Sequence, residues 1–417
     1  MQELADKLEQ NPVVYITRDI ERAIGLNLNT PGYYIISNYS ESYKTVDNSN
    51  VLLIKEDKQL DTWELLKNPE VKDFINNLEK ANLAVFKPTK QIERICEENN
   101  WNLLNPSAEL SDKIEEKISQ LEWLGDLKKY LPGYSVQLCK DIEWKEEKFI
   151  LQFNRSHTGS GTMLIESNEQ LDEIKNKFPE RKARLARYID GPLFNNNNVV
   201  TKNKVLIGNI NYQITGLEPF TDRPFASIGN DWGFPHKYLS PEQIEQYKKI
   251  VNDIGDKLRN DGWKGLFGVD IVVEESTGKL YLVEINARQP ASTTFESQLQ
   301  TNTHNLQPKA DQPWAEKPKT YLTTFEAHLA SLLDIDLSDH ELIKIKDGAQ
   351  IISRITDHVT HIDPETIQHL EKENFILTKY DNTKHGSDLL RIQSKKSIIE
   401  SHNKFNELGE KILSHIS

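Results

Sequence analysis

Two runs past the middle of the chain constrain it most, residues 264–273 (KGLFGVDIVV) and residues 279–288 (KLYLVEINAR). Both are rich in apolar and β-branched residues. The connector Glu274-Glu275-Ser276-Thr277-Gly278 is polar and ends in glycine, so the runs read as adjacent strands joined by a hairpin. Strand side chains alternate between faces, which puts Glu284, Asn286 and Arg288 on one side of the second strand. Asp270 lies on the first. Polar groups gathered on a buried face are costly unless something binds them. Two carboxylates and an amide oxygen form a hard, oxygen-only donor set suited to Mg²⁺ shared with substrate phosphates, so Asp270, Glu284 and Asn286 are candidate metal ligands. Arg288 adds a planar, forked positive group beside them. A solvated hairpin edge would more naturally carry Lys, Thr and Ser at these places.

An acid on one strand, followed 14 residues later by Glu284-x-Asn286-x-Arg288 on the next, resembles the signature of the ATP-grasp superfamily. The resemblance implies ATP as cosubstrate, with one or two Mg²⁺ ions, replaceable by Mn²⁺, bridging its phosphates. It also implies an α/β (α+β) architecture: an ATP-grasp fold preceded by a Rossmann-like domain and followed by a C-terminal α+β cap. The expected divisions are residues 1–110, 111–300 and 301–417.

Other features bound the function. A chain of 417 residues is too long for one ordinary core. No apolar run approaches the ~18 residues needed to span a membrane, and the first 15 residues lack a signal-peptide pattern, so a cytoplasmic location is expected. The net charge of −13 argues against a nucleic-acid partner. Cys96 and Cys139 provide neither a disulfide framework nor a Cys-x-x-Cys metal site.

Short apolar runs at 13–16, 33–36, 51–54 and 83–86 alternate with helical stretches, which suggests a parallel sheet. No Gly-x-Gly-x-x-Gly occurs in this region, so no dinucleotide is assigned to it. Residues 111–130 read as one long amphipathic helix. Residues 149–154 and 163–165 read as strands flanking the loop 155–162, whose Gly159, Ser160, Gly161 and Thr162 can turn backbone N–H groups toward phosphate. Asn195 to Asn198 read as a polar connector, and 227–234 as an aromatic, glycine-punctuated loop. Alternating polar residues along 205–214 make Asn211 and Gln213 candidates for lining a cleft, and Asn230 and Asp231 are candidate substrate contacts because loops of their kind often touch substrate. Ser240-Pro241 opens a helix running to about 261. Residues 298–318 read as a long loop, 321–334 as helix, 348–355 as strand, and the segment from about 397 as an amphipathic helix.

The resemblance assigns further roles. Two lysines usually meet the α- and β-phosphates. Lys113 or Lys117 can fill the first position. The second falls on Gln152, a departure from the family for which Arg155 or His157 is expected to compensate. The segment 185–191 resembles the family's hinge strand, placing Arg187 and Ile189 against adenine through main chain and Asp190 near the ribose. Arg288 is the candidate catalytic residue. The leading reading is an ADP-forming ligase that activates a small carboxylate as an acyl phosphate and joins it to an amine, with neither nucleic acid nor membrane as partner and a homodimer permitted. The alternatives are ATP-dependent carboxylation of the biotin-carboxylase kind, and a nucleotide-binding protein with little or no catalysis.

Overall fold

The computed structural model describes residues 2–43, 48–154, 161–306 and 320–416. Strands β1 (Val13–Ile16), β2 (Tyr33–Asn38), β3 (Val51–Ile54), β4 (Asn82–Val85) and β5 (Asn102–Leu103) form an all-parallel sheet in the order β3-β2-β1-β4-β5. Its two faces are covered by different parts of the chain, as parallel sheets require. Val14, Ile16, Ile36, Leu83 and Val85 pack on the helices Pro69–Asn76 and Lys90–Glu98. Val13, Tyr15, Tyr33 and Ile35 pack on Phe325, Leu329 and Leu332 of a helix nearly three hundred residues away, Thr324–Leu332. Every residue of that helix except Glu326 is buried, because it also packs on Val199, Leu206 and Leu266 of a further sheet.

Four antiparallel strands follow: β6 (Tyr134–Leu138), β7 (Phe149–Phe153), β8 (Thr162–Ile165) and β9 (Lys182–Arg187), in the order β6-β9-β7-β8. The largest sheet is built from β10 (Leu193–Val200), β11 (Val205–Leu206), β12 (Asn211–Thr215), β13 (Ser227–Asp231), β14 (Gly265–Val273) and β15 (Leu280–Asn286). After a small parallel pair, β16 (Thr320–Leu322) with β17 (His340–Leu342), the strands β18 (Ala349–Arg354), β19 (Ile376–Lys379) and β20 (Asp388–Ser394) extend the same sheet. Its order is β15-β14-β10-β12-β13-β18-β20-β19, with β11 beside β10. One face buries Phe267, Val269, Ile271 and Val273 against Tyr247, Ile250, Val251 and Ile254 of the helix Pro241–Asn260. Ser240 caps that helix as its sequence predicts, its Oγ accepting from the Gln243 N–H at 3.2 Å while Gln243 Oε1 accepts from the Ser240 N–H at 2.9 Å.

Several expectations are corrected. Asn195 to Asn198 are no connector; they lie in the buried strand β10. Asparagine is ordinarily disfavoured there, but these amides have partners. Asn196 and Asn198 exchange hydrogen bonds at 2.6 and 2.8 Å, and Asn197 Nδ2 donates to the buried Glu296. Most of the expected loop 227–234 is strand β13, with Trp232 fully buried after it. The expected helix 111–130 is broken into Ala108–Glu115, Ser119–Leu124 and a 3-10 segment Gly125–Tyr130. Asn154 causes the first break: its carbonyl and Oδ1 accept from the N–H groups of Lys117 and Ile118 at 3.2 and 2.8 Å. The expected loop 298–318 begins as the end of a helix, Thr293–Leu306, and 307–319 lie outside the described residues. Two short strands, Ile399–Ser401 and Lys404–Phe405, precede the last helix, Glu407–Ile416. No helix among the described residues is long and apolar enough to cross a membrane.

Asp231 ties the end of β13 to the C-terminal segment. Its carboxylate is fully buried and accepts from the N–H groups of Gly233, Phe234, Ile398 and Ile399 and from Ser397 Oγ, at 2.7 to 3.1 Å. Truncation would strand four buried N–H groups. Asp231→Ala should therefore destabilise the chain by ~3 kcal/mol or more in urea denaturation, and a loss below ~1 kcal/mol would contradict this account.

Candidate active site

The hairpin β14–β15 sets the geometry. Asp270 stands directly opposite Glu284, and Gly268 opposite Asn286. Between Asp270 and Ile271 the register shifts, leaving Val283 as an extra residue beside Glu284. Bulges of this kind re-aim side chains and are common beside functional sites. Asn286 Nδ2 donates to Asp270 Oδ2 at 3.4 Å.

Cations come from outside the hairpin. Lys117, 6% exposed at the helix break, reaches Glu284 Oε1 at 2.7 Å. Lys113 is exposed on the preceding helix, and its carbonyl accepts from Ser119 Oγ at 3.0 Å. Of the two expected lysines, only Lys117 meets the carboxylates. Arg288 pairs with Glu115, which also pairs with Lys87. Burial, then the charge of Glu284, pushes Asp270 up to about 7, against the opposing pull of Lys117 and Arg288. Burial also pushes Glu284 up, but Lys117, Arg288 and Arg184 outweigh it and hold that carboxyl below its ordinary range. Of the two, Asp270 is therefore the carboxyl that takes up a proton first as pH falls.

Gln152 on β7 is buried and its Nε2 donates to Thr162 Oγ1 at 3.3 Å. The Gly161 carbonyl accepts from the Phe153 N–H at 3.0 Å. Arg155, His157, Gly159 and Ser160 lie outside the described residues. Directly across from Gln152 stands a residue that sequence reasoning missed, Arg184 on β9. It is 1% exposed, its Nη1 donates to Gln120 Oε1 at 3.3 Å, and its Nε has no partner among the described residues. Burial pushes its pKa down to about 10, opposed by Tyr134 and Glu284. A signal was present: an arginine at an alternate position in the run Lys182-Ala-Arg184, beside a strand lacking its expected lysine.

The segment after β9 crosses from the four-stranded to the large sheet. Arg187 is committed within the protein, its N–H donating to the Gly133 carbonyl at 2.8 Å and its guanidinium pairing with Glu274 at 2.5 Å. Its main-chain N–H is therefore engaged within the protein. Ile189 makes no main-chain hydrogen bond among the described residues. The Asp190 carbonyl accepts from the Glu275 N–H at 2.9 Å, and its carboxylate is exposed.

A row of carboxamides continues from the carboxylates across the sheet. Asn195 lies opposite both Asp270 and Asn211. Asn195 Nδ2 donates to Gln213 Oε1 at 2.7 Å, Asn230 Nδ2 to Asn211 Oδ1 at 2.8 Å, and Gln350 Nε2 to Asn230 Oδ1 at 2.9 Å. The structure thus gathers Asn211, Gln213 and Asn230 and adds Asn195 and Gln350. Asp231 is different: alternation on β13 turns it away from Asn230, and its carboxylate is consumed by structural hydrogen bonds, which corrects its expected role at a substrate.

Residues 114–292 match the family model of the ATP-grasp domain. Similar solved structures include N5-carboxyaminoimidazole synthetase from Staphylococcus aureus complexed with ADP (13% identity, 98% of this chain and 97% of that one, TM-score 0.63). L-amino acid ligase from Bacillus licheniformis is similar over 97% of this chain and 96% of its own (10% identity, TM-score 0.64). Phosphoribosylamine–glycine ligase from Thermotoga maritima is similar over the same shares (10% identity, TM-score 0.60). No curated protein matches the sequence. Residues 114–292 thus carry the ATP-grasp domain, and the chain as a whole shares its fold with these structures.

An ordinary aspartate titrates near ~3.9. Folding raises the Asp270 value, so the stability cost of its charge grows as pH rises from about 4 to about 7 and is fully present above that. Asp270→Asn removes the cost. Without metal or nucleotide, the variant should exceed wild type by roughly 2–4 kcal/mol near about pH 8 and by little near about pH 4.5, read from urea midpoints at both pH values. A difference independent of pH would contradict the assignment.

Proposed function

We propose that the protein is an ADP-forming ligase that activates a small carboxylate with Mg·ATP and joins it to an amine. The observation that carries this reading is the facing pair Asp270–Glu284, flanked by Lys117 and Arg288, on an ATP-grasp fold. Two of the similar proteins are named as ligases forming bonds to amino acids or glycine, which supports the class without identifying the substrate.

The residues fit a divalent ion: Asp270, Glu284 and Asn286 bring oxygen donors to one place, and burial beside Glu284 raises the proton affinity of Asp270. Mg²⁺ held there would screen the negative charge of the nucleotide phosphates. Lys117, now on Glu284, would reach a nucleotide phosphate if a divalent ion held that carboxylate. Arg184 provides the charge that Gln152 does not, and Ile189 offers its free main-chain groups to adenine. The substrate carboxylate attacks the γ-phosphorus, releasing ADP and leaving an acyl phosphate. The amine then attacks the acyl carbon, phosphate departs, and the amine proton passes to solvent. Arg288, released from Glu115, would stabilise charge developing on the transferring group, where loss of one preorganised donor costs ~10²–10³ in rate. Positioning of the two substrates provides much of the remainder.

The test is ADP release from Mg·ATP across panels of carboxylates paired with amines, with a bicarbonate arm. Release requiring both a carboxylate and an amine supports the proposal, release requiring bicarbonate points to carboxylation, and nucleotide binding without turnover would sink it. Glu284→Gln should lower the rate by ~10²-fold or more, and an unchanged rate would remove the site from this hairpin. Arg184→Met should raise the KM for ATP by ~10-fold, and adding Gln152→Lys should recover most of it. No recovery would mean that Arg184 serves packing alone.

A further inference from the structure

Between the amino-terminal domain and the hairpin, one carboxylate holds two cations. Glu115, the last residue of the helix Ala108–Glu115, gives Oε1 to Arg288 Nη1 and Oε2 to Nζ of Lys87, which lies in the turn after β4. The Glu115 side chain is 11% exposed, so water screens its charge poorly. Burial pushes Arg288 down, but Glu115 and then Glu284 outweigh it and hold the guanidinium above its ordinary range. Each cation of the catalytic site thus has an acid. Lys117 has Glu284 at 2.7 Å, and a divalent ion on Glu284 would free it. Glu115 is not among the ligands assigned to the ion, so Arg288 needs another means of release.

The backbones that carry the three side chains are tied to one another. Gln289, next to Arg288, turns its polar groups to the amino-terminal domain: its N–H donates to the Phe86 carbonyl at 3.2 Å, its Nε2 to the Arg22 carbonyl at 2.8 Å, and its Oε1 accepts from Tyr15 Oη. Phe86 directly precedes Lys87, so the backbones bearing Lys87 and Arg288 lie side by side. Ser111, four residues before Glu115 on the same helix face, donates from Oγ to the Ala287 carbonyl at 2.7 Å. With this frame fixed, an exchange of partners falls to the side chains. A poorly solvated carboxylate stripped of its partner is strongly unfavourable. Lys87 removes that penalty, because one acid between two cations leaves one positive charge to spare.

We infer that Lys87 is a positioning residue that keeps hold of Glu115 while Arg288 leaves it for the terminal phosphate of the nucleotide, so that the amino-terminal domain governs the availability of Arg288. This role rests on the ligase reading only in that Arg288 meets the group being transferred.

The test compares, for the full chain with Mg²⁺, the dissociation constants of ADP and of a non-hydrolysable ATP analogue, whose ratio reads what the protein adds at the terminal phosphate. Arg288→Met sets the floor of that preference, and a preference unchanged in this variant would overturn the role. Lys87→Met should lower the preference for the analogue about tenfold, with ADP affinity within about twofold of wild type, because Glu115 then holds Arg288 alone. Glu115→Gln added to Lys87→Met should restore the preference to wild type or above, and Lys87→Arg should keep it. An unchanged preference in Lys87→Met would overturn the role. So would a double variant as poor as Lys87→Met, which would mean that Lys87 meets the nucleotide itself. If Lys87→Met does not fold, Glu115→Gln alone decides: it should raise the preference, and a value at or below wild type counts against the role. Failure of the ligase reading looks different, since the preference then shifts as described while no carboxylate and amine pair releases ADP. A chain that binds neither nucleotide would overturn both.

Discussion

Two carboxylates held opposite one another on paired strands repel, and much of the site answers that repulsion. Glu284 keeps its charge because Lys117 is brought to within 2.7 Å, and Asp270 gives up its own, titrating near about 7. A pair left in this condition has a high affinity for positive charge, which is what a divalent ion beside phosphates supplies. The helix break at Glu116–Ile118 has the same origin in function, because it is there that Asn154 turns Lys117 inward. A continuous helix over 111–130 would have run past the carboxylates.

The second organising feature is a sheet whose two faces differ in kind. One face of β10 and β14 buries Phe194, Val200, Phe267, Val269 and Ile271 in the largest core. The other carries Asn195, Asp270 and, further across, Asn211, Asn230 and Gln350. Hydrogen bonds offset the burial of most of these amides, Asn195 to Gln213 and Gln350 through Asn230 to Asn211, while Asn195 Oδ1 and Asn211 Nδ2 are enclosed without a partner among the described residues. Asn197 and Glu296 do comparable work for the architecture, fastening the Thr293–Leu306 helix to β10.

Gln152 and Arg184 show how a charge expected on one strand can stand on its neighbour instead. The two residues are cross-strand partners on β7 and β9, so a cation on either projects into nearly the same volume. A linear motif registers only the loss at 152. Pairing reveals a cation at 184.

Local chemistry alone made part of this protein legible. Alternation and the Gly-containing connector identified β14 and β15 and showed that Glu284 and Asn286 share a face, because a strand's period of two is a property of the chain itself. The apolar runs at 13–16, 33–36 and 51–54 likewise announced the parallel sheet, and Ser240-Pro241 announced its helix. What sequence could not reveal depends on neighbours distant in the chain. Asn195 to Asn198 read as a connector because isolated amides prefer water, and only partners such as Glu296 and Gln213 make them strand residues. Ser227–Asp231 read as loop for the same reason, until β12 and β18 supply its hydrogen bonds. The approach of Lys117 rather than Lys113 to Glu284 and the placing of Arg184 across from Gln152 were decided by tertiary structure, since electrostatic interaction depends on separation in space and not along the chain.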